Sequence, residues 1–223
     1  MAIRAIIFDF DGLILDTEST ELAGWRQIFR EEGRELTMDI WANAVGRPNS
    51  HFDPCDALDQ LLGKESNRGA LWDRKRSICR EMNLKLQPRD GVVEYLRDAQ
   101  RLGLKLAIAS SSEHHWVTGH LARLNLLDYF ACLTTFEDTP THKPKPGPYL
   151  KALEKLGVPA HETIALEDSA HGVAAAKAAG LFCLAVPNEV TRGMDLSLAD
   201  LIVPSLLELP LETLLRTAGK PAG

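Results

Sequence analysis

The sequence contains no apolar run near the roughly 18 to 20 residues that a membrane span needs, so no membrane partner is expected. It also has no long block of Lys or Arg. With 25 basic against 31 acidic side chains and a net charge of −6, a nucleic-acid partner is disfavoured, because duplex affinity comes largely from neutralising phosphates. The opening MAIRAIIFDF lacks a basic region, a long apolar stretch and a small-residue cleavage site, so a cytoplasmic protein is expected. Cysteine is sparse. Cys55, Cys79, Cys132 and Cys183 form no close pair of the kind a zinc or dithiol site uses, and reduced thiols are expected. What is present is ordinary globular composition: 223 residues, 45% hydrophobic and 25% charged, enough for one large domain or a domain carrying an insertion.

Short apolar segments recur along the chain and end in polar or turn residues. AIRAIIF runs into Asp9, Asp11 and Gly12; LKLAIAS ends at Ser110; TIALED ends at Asp168; LFCLAV precedes Pro187; DLIV precedes Pro204. Helical patterns lie between them at Gly91–Leu102, Glu113–Leu124, Pro148–Leu156 and Ala170–Ala179, the last closed by Gly180 as a left-handed cap. Strands apolar on both faces and alternating with helices predict an α/β fold, a doubly wound parallel sheet of five or six strands resembling a Rossmann core. Residues 17–88 read as helical throughout and predict an α-helical cap inserted after the first strand. The core then comprises residues 1–16 and 89–223, with the PRDG turn at Pro88–Gly91 as the return point. Ligands of open α/β sheets bind outside the carboxyl ends of the strands, so the insert would hang over that place.

The polar residues at those strand ends form a chemical set: Asp9 and Asp11, Ser110, then Glu167 and Asp168. A parallel sheet gathers them at one edge, and Lys143, in a loop before a helix, can reach it. Gathered carboxylates repel one another unless a cation sits among them, and a hard divalent ion with oxygen ligands, Mg²⁺, is the expected cofactor. A hydroxyl from Ser110 and a point charge from Lys143 complete a cluster suited to phosphate oxygens.

Together FDFDGLILDTE, IASSS, KPKPGPY and ALEDSAHGVAAAKAAG resemble the four ordered motifs of the haloacid dehalogenase superfamily, and specifically its β-phosphoglucomutase-like branch of phosphatases and phosphomutases with a helical cap. The resemblance spans nearly the whole chain. It implies that Asp9 attacks phosphorus to form an aspartyl phosphate and that Asp11 acts as general acid and base. It further implies metal ligation by Asp9, the Asp11 carbonyl and Asp168, with Glu167 direct or through water. Ser110 would bind a phosphoryl oxygen, and Lys143 would pair with Asp9 and the phosphate. Gly12, Glu18 and Ser111 would lie beside substrate, and Gly46 and Arg47 match a cap loop that reaches it. In β-phosphoglucomutases the helix after the first motif carries a histidine, where this chain offers Glu18 and Glu21. That departure favours a phosphatase of sugar or polyol phosphates over a mutase. The expected partner is a small phosphorylated metabolite, and the expected state a monomer or weak homo-oligomer.

Plainer readings stand beside these. Ser110, Ser111 and Ser112 are candidate caps for the helix near Glu113, and Asp168 and Ser169 for the Ala-rich helix that follows them. His114, His115, His142 and His171 read as surface or supporting residues. Trp25, Trp41, Trp72 and Trp116 read as filling cores or the seam between cap and core. Lys145 reads as a solvated charge, and one of Arg74, Lys75 and Arg76 could face the cleft. Outside enzymology, a phosphoacceptor signalling domain would use a similar set of Asp, Ser and Lys.

Overall fold

The computed structural model describes residues 2–41 and 53–219. Six strands form one parallel sheet: β1 (Ala5–Phe8), β2 (Lys105–Ala109), β3 (Cys132–Thr134), β4 (Thr163–Glu167), β5 (Phe182–Ala185) and β6 (Leu201–Ile202), in the order β3-β2-β1-β4-β5-β6. β1 is central, pairing Phe8 with Ile108 on one side and with Leu166 on the other. Sequential connections leave β1 toward both sides, so the switch point of the topology lies at its carboxyl end, where α/β sheets open a crevice. β3, of three residues, is not among the apolar runs singled out from the sequence.

Alternation along the strands gives the sheet two unlike faces. Ile6, Phe8, Leu106, Ile108, Ile164 and Leu166 point to one face, covered by α5 (Val92–Arg101), α6 (His114–Arg123) and α9 (Leu211–Ala218). Ala5, Ile7, Ala107, Ala109, Ala165 and Cys183 point to the other, under α7 (Gly147–Leu156) and α8 (Ala170–Ala178). Small side chains on both α8 and the sheet let that helix approach closely, with Ala175 and Ala176 fully buried. Gly180 takes φ +78° one position past the α8 cap, as its placement after the Ala-rich run predicts.

Before the second strand lie α1 (Thr17–Glu31), α2 (Met38–Trp41), α3 (Pro54–Leu62) and α4 (Arg68–Asn83). Asp16, Asp53 and Asn67 cap α1, α3 and α4 through their side chains. These helices share their own apolar cluster, built on Leu22, Trp25, Ile28, Phe29, Leu58 and Ile78, which touches the rest of the chain through Val190. Trp72 stands edge-on to Trp25 with ring centroids 4.9 Å apart. The four cysteines are unpaired, and three are buried. No helix among the described residues is long and apolar enough to cross a membrane.

Candidate active site

β1 ends at Phe8, and the chain then closes a tight turn in which Ile14 N–H donates to the Phe10 carbonyl at 2.9 Å and Gly12 N–H to the Leu15 carbonyl at 2.7 Å. Gly12 sits at φ +84°, and a Cβ there would overlap the Asp168 carboxylate. Both facts require glycine. The turn interrupts strand alternation, so Asp9 and Asp11 line the same cavity of about 420 Å³ together with Ser110, Ser111, Lys143 and Asp168.

Lys143 is the hub of that cavity. Its side chain is 8% exposed, and Nζ donates to Asp9 Oδ1 at 2.5 Å and Glu167 Oε1 at 2.6 Å. Burial opposes its charge, but Asp9 and Glu167 outweigh that and hold its pKa above the ordinary lysine range. Glu167 is fully buried and its oxygens are taken: Oε1 also accepts from the Tyr149 hydroxyl at 2.5 Å, and Oε2 from Asp168 N–H at 3.2 Å. A Cβ on Gly172 would overlap this carboxylate, so the start of α8 presses against Glu167 only as glycine.

Acceptor oxygens of Asp9, Glu167 and Asp168 lie within 4.8 Å of one another. Burial, only partly offset by Lys143 and reinforced by Glu167, pushes the Asp9 carboxyl up to about 8. Burial, with Asp9 and Glu167 added, holds Asp168 well above the carboxylate range. Three buried carboxylates around one ammonium leave an excess of negative charge. An all-oxygen set of this kind fits a hard divalent cation, with Asp9 Oδ2 and Asp168 Oδ1 accepting no hydrogen bond from the described residues.

Asp11 looks elsewhere. Oδ1 accepts from Thr17 Oγ1 and Trp116 Nε1, each at 2.9 Å, and Oδ2 from Ser112 Oγ at 2.6 Å. It also lines a second cavity of about 510 Å³ whose walls include Glu18, Glu21, Asn83, Trp116 and Phe136. Burial, then the charges of Asp11 and Glu21, push the Glu18 carboxyl up to about 7.

The family described as haloacid dehalogenase-like hydrolase matches residues 6–186 of this chain. The chain belongs to the haloacid dehalogenase-like hydrolases. A protein of Bacillus subtilis (strain 168), provisionally named phosphatase YhcW, is 40% identical over 96% of each chain. The phosphorylated carbohydrates phosphatase of Thermotoga maritima is 31% identical, over 80% of this chain and 82% of its own. A crystal structure from Thermotoga maritima provisionally named β-phosphoglucomutase is 28% identical, superposes with a TM-score of 0.73, and covers 90% of this chain and 94% of its own. The protein is accordingly a phosphoric monoester hydrolase by class, and the signalling-switch alternative falls.

In this haloacid dehalogenase-like hydrolase the residues singled out from sequence, Asp9, Asp11, Ser110, Lys143, Glu167 and Asp168, lie at one sheet edge, while Gly46 and Arg47 lie outside the described residues. Three serines do not cap α6. Glu137 does, accepting from His114 N–H at 3.0 Å, while Ser110 Oγ accepts from Ser112 N–H at 2.9 Å and Ser112 Oγ binds Asp11. Ser169 caps α8 and Asp168 does not. Lys145 is exposed. Of the three cations on α4, Arg74 and Arg76 pair with Glu31 and Asp73 at the surface, and Lys75 turns inward onto Glu21.

Several supporting residues escaped the sequence reading. Asn188 donates to Asp168 Oδ2 at 2.8 Å, and a polar residue just beyond β5 at the same sheet edge was a usable signal. Arg89, read only as part of a turn, donates to the carbonyls of Gly12, Val186 and Pro187 and ties the loops after β1 and β5 together. Trp116 and Tyr149 carried no signal beyond their hydrophobicity.

Proposed function

We propose that this chain is a Mg²⁺-dependent phosphatase of small phosphorylated metabolites, sugar or polyol phosphates among them, working through an aspartyl phosphate on Asp9. The observation that carries the reading is the contact of Lys143 with Asp9 and Glu167 beside Asp168, in the wall of a cavity large enough for a phosphate monoester. The phosphoryl group would enter that cavity near Ser110 and Lys143, whose hydroxyl and ammonium bind its oxygens. Asp9 Oδ2 attacks phosphorus, the ester P–O bond breaks, and the departing oxygen takes a proton from Asp11, which lines both cavities and so stands between phosphoryl group and leaving group. In the second half, Asp11 takes a proton from water as its oxygen attacks the aspartyl phosphate. Inorganic phosphate leaves and Asp9 is restored. Mg²⁺ held by Asp9, Asp168 and the Asp11 carbonyl, with Glu167 behind them, would lower the Asp9 pKa and offset the charge of the phosphate dianion. Residues 17–88 would act as a cap that excludes bulk water during the first step.

The T. maritima relative that acts on phosphorylated carbohydrates supports the substrate class. The likeness to the provisionally named β-phosphoglucomutase keeps phosphoryl transfer to a sugar hydroxyl as a second reading. A panel of phosphorylated metabolites, scored for free phosphate and for isomer formation with Mg²⁺ and with EDTA, tests both. Repeated release of phosphate that EDTA reversibly stops supports the phosphatase; isomer formation without release would replace it with the mutase.

A further inference from the structure

The turn that follows β5 touches three parts of the molecule at once. Asn188 reaches the strand-end acids, and Thr191 and Met194 line the first cavity. Val190 is the only member of the cap helices' apolar cluster, among the described buried residues, that lies outside residues 17–88. Every polar atom of Asn188 is engaged. Its N–H donates to Thr191 Oγ1 at 2.9 Å, and its carbonyl accepts from Arg192 N–H at 3.0 Å. Its side-chain Oδ1 accepts from Val190 N–H at 2.9 Å and from Thr191 N–H at 3.0 Å. Two N–H groups aimed at one atom identify that atom as the amide oxygen, so the other arm of the side chain is the NH₂ group. That nitrogen donates to Asp168 Oδ2 at 2.8 Å and to the Gly12 carbonyl at 3.3 Å.

We propose that Asn188 is a positioning residue for the metal: it holds Asp168 so that Oδ1 stays open to Mg²⁺, and Val190 anchors it from the cap. The proposal rests on the Mg²⁺-dependent reading above. Asp168 Oδ2 lies where a Cβ on Gly12 would overlap it, so that oxygen is pinned between the turn after β1 and the Asn188 amide. A neutral donor matters here. Lys143 offsets the charge of Asp9 and Glu167, whereas an amide orients Asp168 without cancelling the charge that attracts a cation. Partners of this kind fix a ligating carboxylate before the metal arrives, which spares the ion the cost of ordering it. The oxygen of the same amide is held by the Val190 and Thr191 N–H groups, and Val190 is seated in the cap cluster. Residues 188–190 therefore join the packing of the cap to the readiness of the metal site.

The test measures Mg²⁺ binding to the metal-free full chain by calorimetric titration, with no substrate present. Asn188→Ala should raise Kd about 10- to 100-fold, the usual worth of a residue that orients a metal ligand, while the circular dichroism of the metal-free protein stays that of the folded chain. Asn188→Ser decides should the alanine variant fail to fold. Its hydroxyl still accepts from the Val190 and Thr191 N–H groups, as serine does in such turns, but it is too short to reach Asp168, so the same rise in Kd is expected with the turn kept. A residue that served only the fold would lower the metal-free melting temperature in both variants and leave Kd unchanged. Val190→Ala should raise Kd about two- to fivefold, and combined with Asn188→Ala it should add nothing further, since both act through one donor. An unchanged Kd in the Asn188 variants overturns the positioning role, and an unchanged Kd in Val190→Ala overturns the anchoring from the cap. Wild-type protein that binds no Mg²⁺ overturns the metal reading and the inference with it.

Discussion

Two lysines sit equally deep in this molecule, each with 8% of its side chain exposed, yet in different surroundings. Lys143 stands at the sheet edge between Asp9 and Glu167, with partners that are themselves 10% and 0% exposed. Lys75 lies between α1 and α4 against Glu21, which is 39% exposed to the cleft. At the sheet edge, donors from Tyr149 on α7, Asn188 beyond β5 and the Asp168 backbone hold carboxylates that strand register brings together. On the helical side, orientation depends on side chains brought together from distant parts of the chain: Thr20 with Asn83, Asp11 with Trp116, Glu21 with Lys75. The sheet edge encloses its charges on all sides, whereas on the helical side Glu21 keeps access to water.

That contrast can be broken or sharpened by experiment. Asp9→Asn should abolish phosphate release while the folded circular dichroism signal is kept; a near-normal rate would remove Asp9 from its proposed role. Asp11→Asn should lower kcat by about 100-fold or more, the usual worth of acid–base assistance, and more for poor leaving groups than for p-nitrophenol. Lys143→Met should destabilise the protein by about 3–5 kcal/mol in urea melts, because it leaves two buried carboxylates without their counter-charge. Lys75→Met should cost about 1 kcal/mol or less, since Glu21 can turn to water. Equal costs for the two would erase the comparison.

The fourth test is pH. A carboxyl raised in the folded state binds its proton more tightly there than in the unfolded chain, so it adds stability below its ordinary pKa and loses that contribution as pH rises through the folded value. Asp9, raised from 3.8 to about 8, should therefore make the melting temperature of metal-free protein fall between about pH 4 and 8. Lys143 titrates above this window and does not reverse the sign. Added Mg²⁺ should flatten the slope, and a slope indifferent to Mg²⁺ would count against ligation by Asp9. The smallest effect on turnover is expected from Trp116→Phe, which removes one of three donors to Asp11 and should lower kcat about tenfold, the low end of what a hydrogen bond to a charged group is worth.

Much of the sheet edge was legible in the sequence because its chemistry is carried by residues at the ends of apolar runs. Once the runs are read as parallel strands, Asp9, Ser110 and Asp168 must share one edge. The same logic extended one strand further would have found Asn188. Residues that act from the middle of a helix were not legible: Trp116 and Tyr149 read as apolar filling, since nothing local tells a buried ring from one whose N–H or O–H reaches a carboxylate 105 or 18 residues away. The three serines misled for a related reason. Their run before a helix satisfies the local rule for caps, but Glu137, arriving from beyond β3, supplies the cap and frees Ser112 for Asp11.

Period and punctuation along the chain thus determined the α/β class, the helices α1 and α4 and the set of acids and cations at the strand ends, because each of those is a property of neighbours in sequence. Only packing in three dimensions decided which oxygens those groups leave open and which lysine meets which carboxylate. Those outcomes depend on burial and on through-space contacts between segments tens of residues apart, and neither quantity is written in any local stretch of sequence.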